Sequence, residues 1–296
     1  MQLSFAIQQF LSASSAVGLA PATIATYQRT LTGLTRAIGG HSRLDRINLD
    51  EVLHWLKSRQ LSNVTLRKEI TILKRFSKWL LRRSATQNDL FLTLSIPRAE
   101  SPLRQGFTAS ELRTLFVTMS QSNCSLALRD FLLFRLIAVT GLRRAEALSL
   151  KWENLDLENR TLQFSDCKSK RCRRVLLPMD LLPLLSRMSC SAASPWLVPG
   201  RHPSLPLSCR QANERLRFWL SQSGIQRRCS GFQGFRVWFA GRAYQISNDV
   251  VLVSRLLGHR DLRPTLRYIG SASPQVDSMV AKISASLHAN QHYAAL

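Results

Sequence analysis

The sequence is poor in acidic residues and has no long hydrophobic run. Asp and Glu number 18 against 41 Lys and Arg, so this chain of 296 residues has a formal net charge of +23. Its best apolar stretch, residues 131–140, is short and interrupted by Arg135, whereas a membrane span needs about 18 apolar residues. We therefore predict no membrane span and a polyanionic partner. Nucleic acid is the first candidate, and a ribosome-like or membrane-surface protein is the alternative.

Paired cysteines and a basic N-terminus are also missing. The six cysteines are scattered without a CxxC pair, which is typical of reduced thiols and argues against a disulfide framework or a metal site. No basic residue precedes Arg29, so the N-terminus does not have the pattern of a secretory signal. Internal repeats and low-complexity segments are absent as well.

Residues 3–84 have the pattern of a helical domain. Pro21 stands where a helix begins, Gly39 follows its last apolar residue, and Asp50 is predicted to cap the next helix. A further helix follows, with apolar residues at helical spacing between positions 64 and 80. Its other face is basic, more so than a solvated face requires, and we expect it to contact phosphates. The residues concerned are Arg67, Lys68, Lys74, Arg75 and Lys78.

A linker is predicted next, because residues 85–106 lose the helical period and contain two prolines and a glycine. Thr108 and Glu111 then have the spacing of a capping box. The remainder is predicted to be mainly helical, with one strand pair around residues 161–164 and 175–177 and a helix in the tail after Gln275.

The predicted fold class is therefore mainly α with a small β-sheet in the C-terminal domain. We predict a helical DNA-binding domain over residues 1–85, a linker over 86–106, and a mixed α/β domain over 107–296 that ends in a tail helix.

Two basic clusters in the second domain could carry chemistry. Arg143 follows Gly141, which can end an apolar helix, and Glu146 is spaced to hold an arginine. A surface Arg–Glu pair would have the same pattern. Lys168, Lys170 and Arg171 lie between the two predicted strands, where a lysine could reach a DNA groove or donate a proton to a leaving oxygen. Basic turns are common, so this cluster alone decides little.

Two further clusters follow. Arg236 stands in an otherwise apolar and aromatic segment, where an arginine is usually paired. Tyr268 follows His259 by nine residues. A tyrosine phenol has an unperturbed pKa of about 10 and is a poor nucleophile at neutral pH. It becomes useful when a cationic site stabilises the phenolate or the phosphate it attacks, so this pair raises the question of attack on DNA.

Together the four clusters resemble the catalytic domain of the tyrosine recombinases, the phage integrase family. The motifs are TGLRxxExxxL at Thr140–Leu150, KxKxxRR at Lys168–Arg174, and LLGH at Leu256–His259 followed by Tyr268. The first domain resembles the family's helical core-binding domain, in the segments Thr23–Tyr27 and Leu73–Leu80. The resemblance covers nearly the whole chain and implies a two-domain recombinase architecture.

The resemblance also implies the catalytic roles. Arg143 and Arg236 would clamp the scissile phosphate, for which their planar forks are suited. Lys168, or Lys170 if the hairpin alignment shifts by two residues, would protonate the leaving 5′ oxygen. His259 would bind a phosphate oxygen, and Tyr268 would attack to give a 3′-phosphotyrosyl enzyme. Neither a cofactor nor a metal is then needed.

One position departs from the family pattern, which has His three residues before the second arginine. Gln233 stands there, and glutamine can donate a hydrogen bond to phosphate but cannot transfer a proton. Such acid–base assistance is worth roughly 10²–10⁴-fold where it operates. We still expect an active site-specific recombinase. The alternatives are a type IB topoisomerase, which would relax supercoils as a monomer, and a DNA-binding relative that has lost catalysis.

The expected partner is double-stranded DNA, held between two domains that form a C-shaped clamp. The resemblance implies a homotetramer on two DNA sites, with the tail passed to a neighbouring subunit, an accessory protein as a further possibility, and no membrane association. The chain starts at the core-binding domain, which favours a simpler recombinase of the Xer-like, integron-like, transposon or plasmid kind. Gln233 favours a mobile element over a housekeeping role in dimer resolution. The expected location is the bacterial cytoplasm, at the nucleoid.

Overall fold

The computed structural model describes residues 1–98, 105–165, 172–190, 193–226, 231–259 and 261–269. The chain divides into two compact units, Met1–Pro102 and Leu103–Leu296. The described residues are mostly helical and include a small antiparallel sheet in the second unit. The predicted fold class is confirmed.

The first unit is built from four helices. These are α1 (Leu3–Ala16), α2 (Pro21–Ile38), α3 (Leu49–Ser58) and α4 (Asn63–Arg82). α2 begins at the predicted proline, and Gly39 ends it with a φ of 83°, a backbone conformation that glycine adopts at low cost. The prediction that Asp50 caps α3 is wrong. Asn48 is the cap, and its side-chain oxygen accepts from the backbone N–H of Asp50 at 2.8 Å. Asp50 is the second residue of the helix. In this first turn its negative charge interacts favourably with the positive end of the helix dipole.

α4 separates an apolar face from a basic face. Its apolar side supplies buried residues to the core of the first unit, among them Leu73, Phe76 and Leu80. The opposite side carries the predicted basic stripe, and four of the five members are exposed: Arg67, Lys68, Arg75 and Lys78. Lys74 is half-buried, and its Nζ donates to the backbone carbonyl of Leu92 at 2.9 Å. Arg75 also has a partner, the hydroxyl of Tyr27, at 2.5 Å.

Part of the predicted linker packs onto the first unit. Phe91 and Leu94 are buried in its core, and Asp89 accepts from the Ser77 hydroxyl and from the backbone N–H of Phe91. Residues 99–104 lie outside the described part of the chain. The domain limits 1–85 and 107–296 therefore stay predictions, while ordered packing continues as far as Leu94.

The second unit places a three-stranded sheet beside a group of helices. Its helices are α5 (Ala109–Ser120), α6 (Ala127–Thr140), α7 (Arg144–Leu148), α8 (Leu182–Cys190), α9 (Cys209–Gln222), α10 (Gly231–Ser247), α11 (Val250–Leu257) and α12 (Arg263–Ile269). Its strands are β1 (Leu155–Asp156), β2 (Thr161–Ser165) and β3 (Cys172–Leu176). The strands are antiparallel in the order β1-β2-β3, with Leu162 paired to both Leu155 and Val175. The predicted strand pair is confirmed, and β1 adds a third strand that is too short to have a recognisable period.

The main core of this unit joins α5, α6, α9 and α10. Phe134 of α6 packs between Phe232 and Phe235 of α10, with ring centroids 5.5 and 5.7 Å apart. α6 is also tied to α9 through the fully buried carboxylate of Asp130. This carboxylate accepts from Trp219 Nε1 at 2.8 Å and from Arg215 Nε at 2.5 Å. A buried charge is tolerated because such donors replace its hydration.

A smaller apolar cluster holds the last three described helices together. Val237 and Ala240 of α10, Val253 and Leu257 of α11, and Tyr268 of α12 are all buried in it. α10 thus faces the main core with one side and this cluster with the other, which places His259 and Tyr268 close to Arg236. None of the described helices combines the length and apolarity that a membrane span requires.

Candidate active site

Arg143 is positioned by a tight turn between two helices. α6 ends at Gly141, which has a φ of 65° and closes the helix through its N–H to the Ile137 carbonyl at 2.9 Å. Arg143 is the N-terminal cap of α7, and the Glu146 carboxylate accepts two hydrogen bonds from it. One carboxylate oxygen accepts from the Arg143 backbone N–H and the other from its Nη1, both at 2.7 Å. Glu146 is 2% exposed and the Arg143 side chain 38%, so the carboxylate fixes a guanidinium that still reaches solvent. The expectation that Glu146 holds an arginine is confirmed.

Arg236 lies on α10 and is 2% exposed. Its Nη1 donates to the backbone carbonyl of Gly141, and its Nη2 donates to the backbone carbonyl of Leu257 at 2.6 Å. The same Nη2 is 2.9 Å from His259 Nε2. A side chain from α10 therefore connects the end of α6 to the end of α11.

His259 is placed by the way α11 ends. Gly258 has a φ of 64°, and the backbone N–H of His259 returns to the Ser254 carbonyl at 2.9 Å, which is a common glycine-dependent helix end. The ring then lies between two partners, Arg236 Nη2 and Thr265 Oγ1, the latter 2.7 Å from Nδ1. Arginine can only donate, so Nε2 is the accepting nitrogen and Nδ1 carries the proton that it donates to Thr265.

Tyr268 lies on α12 and is 9% exposed. Its ring centroid is 5.8 Å from that of His259. Its phenol oxygen accepts a hydrogen bond from Gln233 Nε2 at 2.5 Å. Gln233 precedes Arg236 by three residues on α10, so one face of this helix contacts both the tyrosine and the histidine.

The structure brings four of the predicted site residues into direct contact: Gln233, Arg236, His259 and Tyr268. Arg143 joins them through the turn at Gly141, whose carbonyl accepts from Arg236. Lys168, Lys170 and Arg171 lie outside the described residues, so the predicted general acid and this part of the predicted DNA contact stay predictions.

Thr265 is the site residue that sequence reasoning missed. It is fully buried, and its hydroxyl fixes the orientation of the His259 ring. Its position three residues before Tyr268 puts it on the same face of α12, and this spacing is the only signal in the sequence. A threonine at such a position is ordinarily interpreted as a helix surface residue.

The arrangement is suited to chemistry on a phosphate diester. The guanidinium group of Arg236 contacts His259, whose ring lies beside that of Tyr268. Guanidinium groups such as those of Arg236 and Arg143 are suited to hydrogen-bond the anionic oxygens of a phosphate. Among the described residues, no group of three or more His, Cys, Asp or Glu side chains could hold a metal ion.

Comparison with protein families places both parts of the chain. Residues 105–274 match the phage integrase family, and residues 7–84 match the N-terminal SAM-like domain of phage integrases. Among curated proteins, the chain is similar to tyrosine recombinase XerC of Chromobacterium violaceum, with 26% identity over 271 residues that cover 89% of each protein.

Solved structures show the same fold. The Tn1549 transposon integrase in complex with a circular intermediate DNA superposes with a TM-score of 0.78 at 14% identity, covering 96% of this chain and 99% of that one. A lambda integrase tetramer bound to a Holliday junction superposes with a TM-score of 0.74 at 16% identity, covering 90% and 77%. The family matches extend over most of the chain, on both sides of the Gly141 turn and through the Tyr268 motif, and the chain belongs to the phage integrase family, the tyrosine recombinases that cut and rejoin DNA at specific sites.

Proposed function

We propose that Tyr268 is the nucleophile of this recombinase and that Arg143, Arg236 and His259 bind the scissile phosphate. The observation that carries the proposal is the continuous set of contacts among Arg236, His259 and Tyr268. A phosphate that replaces the contact of Arg236 with His259 Nε2 would be bound by the two arginines and by the Nε2–H of a protonated His259, and it would lie beside the phenol oxygen. Positioned cations in a partly buried site stabilise the extra charge of a pentacoordinate phosphoryl group more than water does.

The proposed reaction is balanced without a cofactor. The Tyr268 oxygen forms a bond to phosphorus and releases its proton to solvent water, and the bond from phosphorus to the 5′ oxygen breaks. Lys168 gives the departing 5′ oxygen a proton, with Lys170 as the alternative donor. The 5′-hydroxyl of a second strand then attacks the phosphotyrosine in the reverse sense and gives its proton to the neutral lysine. The departing Tyr268 oxygen takes a proton from water, which restores the phenol. The energy of the diester is kept in the protein–DNA bond throughout.

We propose that the substrate is duplex DNA contacted by the basic face of α4, and that four copies act on two DNA sites. The exposed guanidinium and ammonium groups of Arg67, Lys68 and Lys78 support the first part. The DNA complexes and the Holliday-junction tetramer of the structural neighbours support the second.

An apolar groove supports the proposed exchange of tails between subunits. It has a volume of about 440 Å³ and lies between α5, α6 and α10. Phe116, Val117, Phe131, Val139 and Trp238 line it. The sequence after Gln275 contains apolar residues at helical spacing that match such a groove: Val276, Met279, Val280, Ile283 and Leu287.

The DNA is proposed to belong to a mobile element, in the bacterial cytoplasm at the nucleoid. The glutamine at position 233 supports this, because it departs from the pattern that recombinases of the family usually keep. Sequencing the DNA that becomes covalently bound would test it: termini of the element carrying the gene are expected, and a single chromosomal site far from the gene would contradict it.

The test of the mechanism is a covalent trap. A nicked suicide substrate, made from DNA flanking the gene, loses its short 5′-hydroxyl fragment after attack and keeps the enzyme bound. We expect Tyr268→Phe to abolish the adduct while DNA binding persists, because only the nucleophilic oxygen is removed. Tyr244→Phe is the matched control, since Tyr244 packs in the same apolar cluster and has no proposed role. An adduct that persists in Tyr268→Phe would refute the assignment. Strand exchange between two sites, rather than supercoil relaxation alone, is expected of the wild-type protein.

A further inference from the structure

Gln233 contacts the phenol oxygen of Tyr268, which is the proposed nucleophile. Its Nε2 lies 2.5 Å from the phenol oxygen of Tyr268, and the rest of the tyrosine is nearly buried. We propose that Gln233 is a positioning residue that holds the Tyr268 oxygen toward the phosphate-binding side of the site. This inference rests on the proposed role of Tyr268, and it assigns the glutamine to the nucleophile rather than to the phosphate.

The helix that carries Gln233 makes it a rigid support. Its neighbours in sequence, Phe232, Gly234 and Phe235, are buried, and both phenylalanines pack on Phe134. A backbone fixed in this way leaves the amide little freedom beyond its own side-chain torsions. Arg236 lies one turn further on the same helix. The hydrogen bond from Gln233 therefore fixes the position of the phenol oxygen relative to Arg236, which is proposed to hold the phosphate. In this way it sets the distance between the phenol oxygen and the phosphorus atom that it attacks.

The chemistry of an amide makes this bond independent of the proton on the phenol. An amide N–H is a donor whether the partner is a phenol or a phenolate, and a donor to oxygen becomes stronger when that oxygen is charged. Imidazole at the same position would exchange protons with the tyrosine, and an amide does not. Gln233 thus keeps its hydrogen bond to the attacking oxygen before and after the phenol loses its proton. The proton itself goes to solvent water and not to Gln233.

The first arm of the test detects the hydrogen bond between Gln233 and Tyr268 by NMR and needs no DNA. Tyrosine labelled with ¹³C at Cζ gives one NMR signal per residue, and the signal that disappears in Tyr268→Phe belongs to Tyr268. We expect this signal to shift in Gln233→Met, which keeps the length of the side chain and removes the donor. Gln245→Met is the matched control on the same helix, where the side chain is exposed, and it should leave the signal unchanged. A Tyr268 signal that is identical in Gln233→Met and wild type would overturn the inference.

The second arm measures the rate at which Tyr268 attacks the DNA. We expect Gln233→Met to form the suicide-substrate adduct about tenfold more slowly, the upper range for one neutral hydrogen bond. Gln233→Asn keeps the amide one carbon short and is expected to recover little of the rate. A substrate with sulfur in place of the departing 5′ oxygen should not rescue Gln233→Met, because sulfur assists departure and not attack. Full rescue by sulfur, or a wild-type rate on the ordinary substrate, would overturn the inference.

The two arms separate this inference from the proposed function. If the ¹³C signal shifts but Tyr268→Phe still forms an adduct, the contact is real and the assignment of the nucleophile is wrong. If Tyr268→Phe abolishes the adduct while Gln233→Met leaves both signal and rate unchanged, the nucleophile stands and the role of Gln233 is refuted.

Discussion

Replacing Gly141 by alanine is expected to damage the site by two separable effects. The φ of 65° at this residue is unfavourable for any side chain, at a cost of about 1–2 kcal/mol. A Cβ would also meet the Phe239 ring, with Cε1 at 2.9 Å, and Leu257 Cδ2 at 3.0 Å. Crowding of this kind in a packed region costs about 1–3 kcal/mol. We therefore expect Gly141→Ala to lower the free energy of unfolding of the second unit by about 2–5 kcal/mol.

Gly224 provides a matched control for the first effect. Its φ is 66°, almost the same as that of Gly141, but a Cβ there would meet nothing within 4 Å. Gly224→Ala should therefore cost only the backbone term of about 1–2 kcal/mol. The difference between the two variants, about 1–3 kcal/mol, isolates the steric term.

Urea unfolding of the full chain, followed by tryptophan fluorescence, measures both variants. Four of the six tryptophans lie in the second unit, so its transition dominates the signal. The adduct assay adds a second readout. The Gly141 carbonyl accepts from Arg236, and displacing it should slow adduct formation about tenfold in Gly141→Ala and not in Gly224→Ala. Equal destabilisation by the two substitutions would refute the steric reasoning.

Two further predictions concern Thr265 and the basic face of α4. Thr265→Val should slow adduct formation about tenfold, because the proton on His259 Nδ1 loses its buried acceptor, and Thr265→Ser should restore the rate; a wild-type rate for the valine variant would show that the hydroxyl is dispensable. The slope of log K for DNA binding against log salt should become shallower by about 1 in Lys78→Ala, the change for one lost phosphate contact. Lys74→Ala should change this slope less, because its ammonium group donates to the Leu92 carbonyl, and equal changes would contradict that ranking.

Features that depend on a few neighbouring residues were predictable from the sequence. The capping box at Thr108 and Glu111 forms as its spacing predicts, with backbone and side-chain bonds in both directions. The cap of α3 is an exception, because the sequence predicts Asp50 and the structure uses Asn48, two residues earlier. Both side chains suit a cap, and the choice depends on where the preceding chain leaves the core, which local propensity does not encode.

The candidate site likewise contains residues that the sequence predicts and contacts that it does not predict. The arginines, His259 and Tyr268 could be identified because their motifs resemble those of a family. The contacts of Gln233 with Tyr268 and of Thr265 with His259 arise where α10, α11 and α12 meet. Such contacts depend on how helices pack in three dimensions, and neither residue type is distinctive enough to announce them in a sequence.

Arg236 is also a shared cap for two helices. The carbonyls of Gly141 and Leu257 that accept from it stand at the C-terminal ends of α6 and α11, where carbonyl groups lack partners within the helix and the helix dipole is negative. The same positive charge that would attract a DNA phosphate thus joins the two segments that position Arg143 and His259. A substitution of Arg236 would remove the proposed phosphate ligand and also the two hydrogen bonds that join these helix ends. The activity lost in such a variant would therefore measure both contributions.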